Sequence, residues 1–255
     1  MPAMVDYSVT NRIALITINR PQVRNAIDLA TAIALSAALD RLDADRDARA
    51  GVLTGSGAVF CAGMDLRAIN SGQPRPQTES RGMFGICEKP PLKPLIAAVE
   101  GAALGGGLEV ALACDLIVVA QDAKLGLPEV RRGLVAGAGG LLRLPRKLPR
   151  AVALEISLTG ELLPTSRALE LGLVNRVCEA GEAAAVASAL AGRIAEGAPM
   201  AVTATKQLIE ESVDWSLTEA FERQLPIVQA VRDSEDAREG AAAFVEKRAP
   251  VWRGH

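Results

Sequence analysis

The chain has 255 residues and is close to neutral, with 28 lysines and arginines against 30 aspartates and glutamates for a formal charge of −2, so it has no basic excess for tracking phosphates. Aromatic residues make up only 3 % and leave little for base stacking, which together with the charge removes nucleic acid as an expected partner, while 49 % hydrophobic content fills a sizeable core and excludes disorder over most of the length. The one histidine, His255, stands at the end of the sequence, which excludes Ser-His-Asp and Cys-His catalysis and histidine-rich metal sites.

Taken in chain order, the first strand signal is Arg12–Ile18 (RIALITI). After Asn25 the pattern turns helical, with Asp28 as the expected N-cap. Ile27, Ala30, Ile33, Ala34, Ala37 and Ala38 recur at helical spacing before the charged run DADRD at 43–47. A second strand is expected at Gly51–Thr54. Residues 71–94 hold five prolines and three glycines in 24 positions, the composition of a loop or lid that shapes a pocket. Strands follow at Leu95–Glu100 and Asp115–Ala120. The stretch 101–120 has the length of a membrane span, yet it carries Glu109, Asp115 and four glycines, so it reads as a helix and a strand inside a soluble core.

From Pro149 onward the chain is expected to be mostly helical. Ala151–Leu158 forms one helix, Thr165 caps another that closes at Gly172, and Ser216–Glu219 (SLTE) has the spacing of a capping box. Strands alternating with helices predict an α/β core over 1–195, followed by a helical region over 196–255. No repeat of sequence is visible. The alanine-rich tail suits burial against another subunit, so an oligomer is expected. The cysteines at 61, 87, 114 and 178 form no CxxC pair and the N-terminus lacks a signal pattern, which together point to a reduced, cytoplasmic protein.

Three segments carry glycine where a strand hands over to a helix: FCAGMDL at 60–66, the run 101–115 with its triple glycine, and GLPEV at 126–130 followed by GAGG at 137–140. Such junctions aim free N–H groups at an oxyanion or a phosphate, although a close backbone crossing explains a triple glycine equally well. Glu109 is the only charged side chain between Gly101 and Ala113. A lone buried carboxylate is costly unless paired or raised in pKa, and a raised carboxylate is a natural acid or base. Glu129 lies 20 residues on, where it either converges with Glu109 on one cleft or forms a salt bridge to Arg131 or Arg132.

FCAGMDL, PLIAAVEGAALGGGLEVALACDLIVVA at 94–120, KLGLPEV at 124–130 and LVAGAGGLLRLPR at 134–146 together resemble the enoyl-CoA hydratase/isomerase (crotonase) family. The likeness extends from INRPQVRNA at 18–26 to AFVEKRAPVW at 243–252. It implies an α/β fold of the crotonase-like kind, a spiral of repeated ββα units with a C-terminal helical trimerisation region. It also implies that the N–H groups of Met64 and Gly106 form an oxyanion hole for a thioester carbonyl, with Glu109 as base toward water adding at Cβ and Glu129 as acid at Cα. Coenzyme A, as part of the substrate, is then met by Arg24 and Ala26, by Ala62, Asp65 and Leu66, and by Lys247 with Arg248 near the C-terminus. Each cation among these also fits an ordinary surface charge.

The resemblance implies no cofactor and no metal, an acyl-CoA partner, and a homotrimer or homohexamer. Because both glutamates are present, reversible hydration of a 2-enoyl-CoA to a 3-hydroxyacyl-CoA is favoured over isomerisation of a 3-enoyl-CoA, and over a non-catalytic acyl-CoA-binding protein. Two departures stand out. RRGLVAGAGG lacks the proline that many members carry before GAGG, and 71–94 has no trusted counterpart, so Met83, Phe84 and Ile86 either line the acyl group or anchor the loop.

Overall fold

The chain opens with a hairpin that periodicity passed over. In the computed structural model, which describes residues 3–255, β1 (Val5–Thr10) pairs antiparallel with β2 (Ile13–Ile18). The sequence VDYSVT alternates half-buried and exposed side chains, as a one-sided strand must, and so contains no apolar run to flag it. The turn residues Asn11 and Arg12 both have positive φ, the condition for the tight turn that matches strand twist.

The main sheet continues with β3 (Ala50–Gly55), β6 (Leu95–Val99), β8 (Leu116–Ala120) and β10 (Arg176–Cys178), in the order β1-β2-β3-β6-β8-β10 and parallel from β2 onward. β3 and β6 are buried at every position, which a parallel sheet achieves by being covered on both faces. α7 (Ala183–Ala195) covers one face, setting Ala183, Ala187 and Ala191 against Val52, Ile96 and Val118. The larger core, which includes Leu53, Ala97 and Val99, fills the other.

A second, smaller layer explains the spiral. After β2 the chain passes Ile27 and enters α1 (Leu29–Ala44). After β3 it passes Cys61 and Met64 and enters α2 (Leu66–Asn70). After β6 it forms β7 (Ala102–Leu104) and α3 (Gly106–Leu112), and after β8 it forms β9 (Lys124–Gly126) and a 3₁₀ turn at Pro128–Arg132. Bridges Ile27–Met64 and Cys61–Ala103, with the pairing of β7 and β9, join the short extended segments of successive turns. Each of the first three turns therefore contributes one long strand, one short extended segment and one helix, the expected ββα unit, while the turn from β8 contributes β9 and the 3₁₀ turn.

Several expectations are corrected. Asp28 does cap α1, accepting from the Thr31 N–H at 2.9 Å, but only part of the expected set is buried, Ile27 and Ala38 among it. Ile33 is 54 % exposed and Ala30 and Ala37 face solvent, whereas Ala32, Leu35, Leu39 and Leu42 are buried. The leucines offer more apolar area than the alanines, and their stripe wins. Residues 71–94 are no free lid. They carry the hairpin β4 (Gln77–Thr78) and β5 (Gly82–Met83), and the buried Arg81 pairs with Asp40 at 2.8 Å and Asp43 at 2.9 Å of α1. Phe84 and Ile86 are buried in the core, which favours the anchoring role for both.

The remaining helices are α4 (Gly140–Lys147), α5 (Arg150–Thr159), α6 (Thr165–Glu170), α8 (Pro199–Ser212), α9 (Leu217–Arg232) and α10 (Glu235–Glu246). α6 has Pro164 rather than Thr165 at its N-cap, because the Thr165 hydroxyl donates instead to the Gln121 carbonyl at 2.7 Å. Gly172 takes its expected positive φ. Only half of the capping box forms: Ser216 accepts from the Glu219 N–H, while the Glu219 carboxylate pairs with Arg223. Among the described residues no helix is long and apolar enough to cross a membrane.

Lys206 of α8 ties the helical tail to the core. Its Nζ donates to the Pro91 and Lys93 carbonyls and to Asp115 Oδ2, at 2.7, 3.0 and 2.7 Å. Burial raises the Asp115 pKa even with this partner present, so the lysine offsets a real desolvation cost. Lys206→Met leaves that carboxylate unpaired and is expected to lower stability by about 3 kcal/mol, near the low end for a broken buried pair. Urea unfolding measures this, and an unchanged midpoint would show that the tail is held by other contacts.

Candidate active site

Two backbone segments are pressed together at the start of α3. Leu104 donates to the Cys61 carbonyl at 3.2 Å and Cys61 donates to the Ala102 carbonyl at 3.1 Å. A Cβ on Gly107 would lie 2.0 Å from the Cys61 carbonyl oxygen, and one on Gly63 would lie 2.9 Å from the Leu104 oxygen and 3.0 Å from the Gly106 nitrogen. The glycines thus permit a close crossing, and the crossing sets Met64 beside the first turn of α3. Gly105, at φ 55° and ψ −126°, adopts a conformation closed to other residues, and its N–H donates to the Gly126 carbonyl at 2.9 Å.

This crossing leaves two donors over. Ile27 donates to the Gly63 carbonyl and Asp65 donates to the Ile27 carbonyl, so the Met64 N–H between them is not used by the bridge. The Gly106 N–H opens a helix and lacks an intrahelical acceptor. Among the described residues neither N–H has an acceptor. Phe84 packs against Gly106, where any side chain would meet the ring at 2.3 Å.

Glu109 lies one turn along α3 and is 3 % exposed. Its Oε1 accepts from the Ala138 N–H at 2.7 Å and the Gly140 N–H at 2.9 Å, so the GAGG run, one of the junctions expected to aim N–H groups at an anion, aims them at a carboxylate of the chain itself. Burial pushes its pKa up. The two N–H bonds oppose that rise and the charge of Glu129 adds to it. Glu129 sits half-buried on the 3₁₀ turn after Pro128, with its carboxylate over Gly105, where a Cβ would be 3.0 Å from Oε1. Neither salt bridge envisaged for it forms: Arg131 donates to the Thr159 carbonyl, and Arg132 contributes only a distant charge. Glu129 Oε2 is buried without a partner, and burial raises this pKa as well.

The remaining candidates divide into two groups. The Arg24 carbonyl accepts from the Ala62 N–H at 3.0 Å, Ala26 is buried beside them, and Leu66 is exposed at the start of α2, so all four border the Met64 segment. The Asp65 carboxylate is engaged in the chain itself. It caps α2 and lies 3.1 Å from Arg20. Lys247 ends α10 with an exposed side chain, and no contact joins it or Arg248 to this cluster.

Arg20 was missed by the sequence reading. Its guanidinium pairs with Asp28 at 3.0 Å and Asp65 at 3.1 Å and donates to the Ala26 carbonyl, locking the caps of α1 and α2 around the Met64 segment. Only the motif INRPQVRNA contained it, and no spacing singled it out. The buried donors Ala138 and Gly140 were likewise invisible, since a backbone N–H has no sequence signature.

The family described as enoyl-CoA hydratase/isomerase matches residues 8–255. The chain is 39 % identical over 258 residues to an (E)-benzylidenesuccinyl-CoA hydratase of Thauera aromatica, spanning 98 % of this chain and 99 % of that protein. It is 40 % identical to a carnitinyl-CoA dehydratase of Proteus mirabilis over 94 % of each. Among solved structures, the enoyl-CoA hydratase EchA1 from Mycobacterium marinum superposes with a TM-score of 0.97 at 52 % identity, over 100 % of both chains.

Proposed function

Since the chain belongs to the enoyl-CoA hydratase/isomerase family, we propose that it catalyses the reversible addition of water to a 2-enoyl-CoA, giving a 3-hydroxyacyl-CoA. The observation that carries this reading is the pair of carboxylates with raised pKa, Glu109 anchored by two N–H groups and Glu129 with a bare buried oxygen, beside two unused backbone donors.

In this reading the thioester oxygen accepts from the Met64 and Gly106 N–H groups. Glu109 takes a proton from water as the water oxygen bonds to Cβ. The C=C electron pair moves to Cα and onto the thioester oxygen as an enolate, which the two donors stabilise. Glu129, protonated, then delivers its proton to Cα. Dehydration runs the same steps backward. Arg24, Ala26, Ala62, Asp65 and Leu66 border the CoA moiety. Lys247 is assigned to the CoA of a neighbouring subunit in a homotrimer or homohexamer, which the exposed Phe221, Phe244 and Val245 of the tail support. Isomerisation needs only one carboxylate as a proton shuttle, and the hydratase and dehydratase names of the relatives favour water addition.

The reading makes a pH prediction. Glu109 works deprotonated and Glu129 protonated, and burial raises both pKa values above the ordinary 4.5. A kcat/KM profile for hydration is expected to be bell-shaped, with its acid limb displaced above that value and its alkaline limb lost in Glu129→Gln. An acid limb at or below the ordinary carboxylate range would refute Glu109 as the base.

A further inference from the structure

The segment that presents the Met64 N–H is clamped from outside by Arg20. The Arg20 Nη2 meets the carboxylates of both Asp28, at 3.0 Å, and Asp65, at 3.1 Å, and all three side chains are largely out of water, 13 % exposed for Arg20, 11 % for Asp28 and 9 % for Asp65. Asp28 caps α1, and Asp65 caps α2 by accepting from the Arg67 and Ala68 N–H groups. One cation thus ties two helix starts together. The chain segments between them are joined by two main-chain bonds, from the Ile27 N–H to the Gly63 carbonyl at 2.8 Å and from the Asp65 N–H to the Ile27 carbonyl at 3.0 Å, and Met64 lies between these bonds. Arg20 is itself fixed by the fully buried Asn25, whose Oδ1 accepts from the Arg20 N–H at 2.8 Å and whose Nδ2 donates to the Ser56 and Val59 carbonyls at 2.9 and 2.6 Å. The turn that carries Arg20 is therefore fastened to the chain leaving β3, which gives the clamp a firm base.

We propose that Arg20 is a positioning residue for the oxyanion donor Met64: acting through Asp65, it holds the start of α2 against the start of α1 and so sets the aim of the Met64 N–H. The proposal rests on the hydratase reading, which gives that N–H the thioester oxygen as its acceptor. Without the guanidinium, two carboxylates with little access to water would cap adjacent helices with no cation between them, and their repulsion would part the caps. Asp65 follows Met64 directly in the chain, so a displacement of its carboxylate turns the Met64 peptide. Oxyanion donors work at roughly 2.7–3.1 Å from the charge they stabilise, which leaves little room for such a turn. A lysine keeps the charge but lacks the planar fork that reaches Asp28, Asp65 and the Ala26 carbonyl at once.

The test is the absorbance of a conjugated aryl enoyl-CoA with an electron-donating para substituent, bound to the wild type, Arg20→Met, Arg20→Lys and Asp65→Asn, with kcat and KM for crotonyl-CoA measured in parallel. Polarising the thioester carbonyl moves the band of such a probe to longer wavelength, so the band reads the aim of the donors rather than the stability of the fold. The wild type is expected to shift the band. Arg20→Met should lose most of the shift and at least about tenfold in kcat, with a smaller change in KM, since one misaimed oxyanion donor acts on the transition state. Arg20→Lys should recover part of both. Asp65→Asn, which keeps a good helix cap but weakens the pair with Arg20, should lose part of the shift and stands in if Arg20→Met does not fold. Lys206→Met, which breaks a buried pair of the tail, is the control for lost stability and should keep the full shift. A wild type that binds the probe without a shift overturns the proposal. Arg20 and Asp65 variants that keep the full shift and kcat also overturn it, as does a control that loses the shift as they do. If the variants lose the shift but the wild type adds no water to crotonyl-CoA, the hydratase reading falls and the positioning role stands. If the wild type hydrates crotonyl-CoA and the variants keep the shift, the reverse holds.

Discussion

Glu109→Gln is expected to lower kcat for hydration by about 10²–10⁴-fold, the usual worth of a positioned general base, and at the same time to make the protein more stable at neutral pH. The stability half follows from linkage. The folded-state pKa of Glu109 is raised by burial above that of the unfolded chain, so between the two values the folded state binds more protons. Stability therefore falls as pH rises through that window, and above it the cost of a buried charge is present in full. Glutamine carries no charge and its side-chain oxygen can still accept from Ala138 and Gly140, so the variant escapes this cost while losing the base. Urea unfolding at acid and at neutral pH checks the sign: the gain should be present at neutral pH and close at acid pH. A variant that loses both activity and stability at neutral pH would mean that Glu109 serves the fold rather than the reaction.

The second large effect belongs to the proposed oxyanion hole. Gly63→Ala is expected to reduce kcat by about 10²–10³-fold, the value of one misplaced oxyanion donor. Gly63 holds φ at +95°, and its Cβ would fall on the Leu104 oxygen and the Gly106 nitrogen, so the 61–64 segment has to move away from α3, taking the Met64 N–H with it. Strain and overpacking together should also cost about 1–3 kcal/mol. Gly72→Ala is the control. It too has positive φ, at +87°, but nothing lies within 4 Å of its Cβ, so it should show backbone strain without loss of turnover. Equal activity in the two variants would remove the crossing from the mechanism.

What was legible in the sequence follows from the physics of each signal. β3, β6 and β8 were readable because strands covered on both faces are mostly apolar, and β2 because Ile13–Ile18 is apolar except for Thr17 even though alternate residues are only half-buried. β1 and β10 were not, because one alternates with polar residues and the other is three residues long. α1 was found by its cap, yet its buried face was only partly legible, since Ile27 and Ala38 are buried while Ile33, Ala30 and Ala37 are not and the packing leucines were passed over. At the site, Glu109 was conspicuous as a lone charge in an apolar run, and the glycines around it marked a close approach. The partners that give the site its character, two backbone N–H groups on Glu109 and the Arg20 pairs with Asp28 and Asp65, depend on segments far apart in sequence and carry no local signal.

The most direct test of the central claim is the loss of conjugated-thioester absorbance on adding enzyme to crotonyl-CoA and a longer 2-enoyl-CoA, with the product identified by mass, for wild type, Glu109→Gln and Glu129→Gln. The account predicts that the wild type forms a 3-hydroxyacyl-CoA and that each variant falls by about 10²–10⁴-fold. Turnover that survives both substitutions, or a wild type that converts 3-enoyl to 2-enoyl thioesters without adding water, would contradict it.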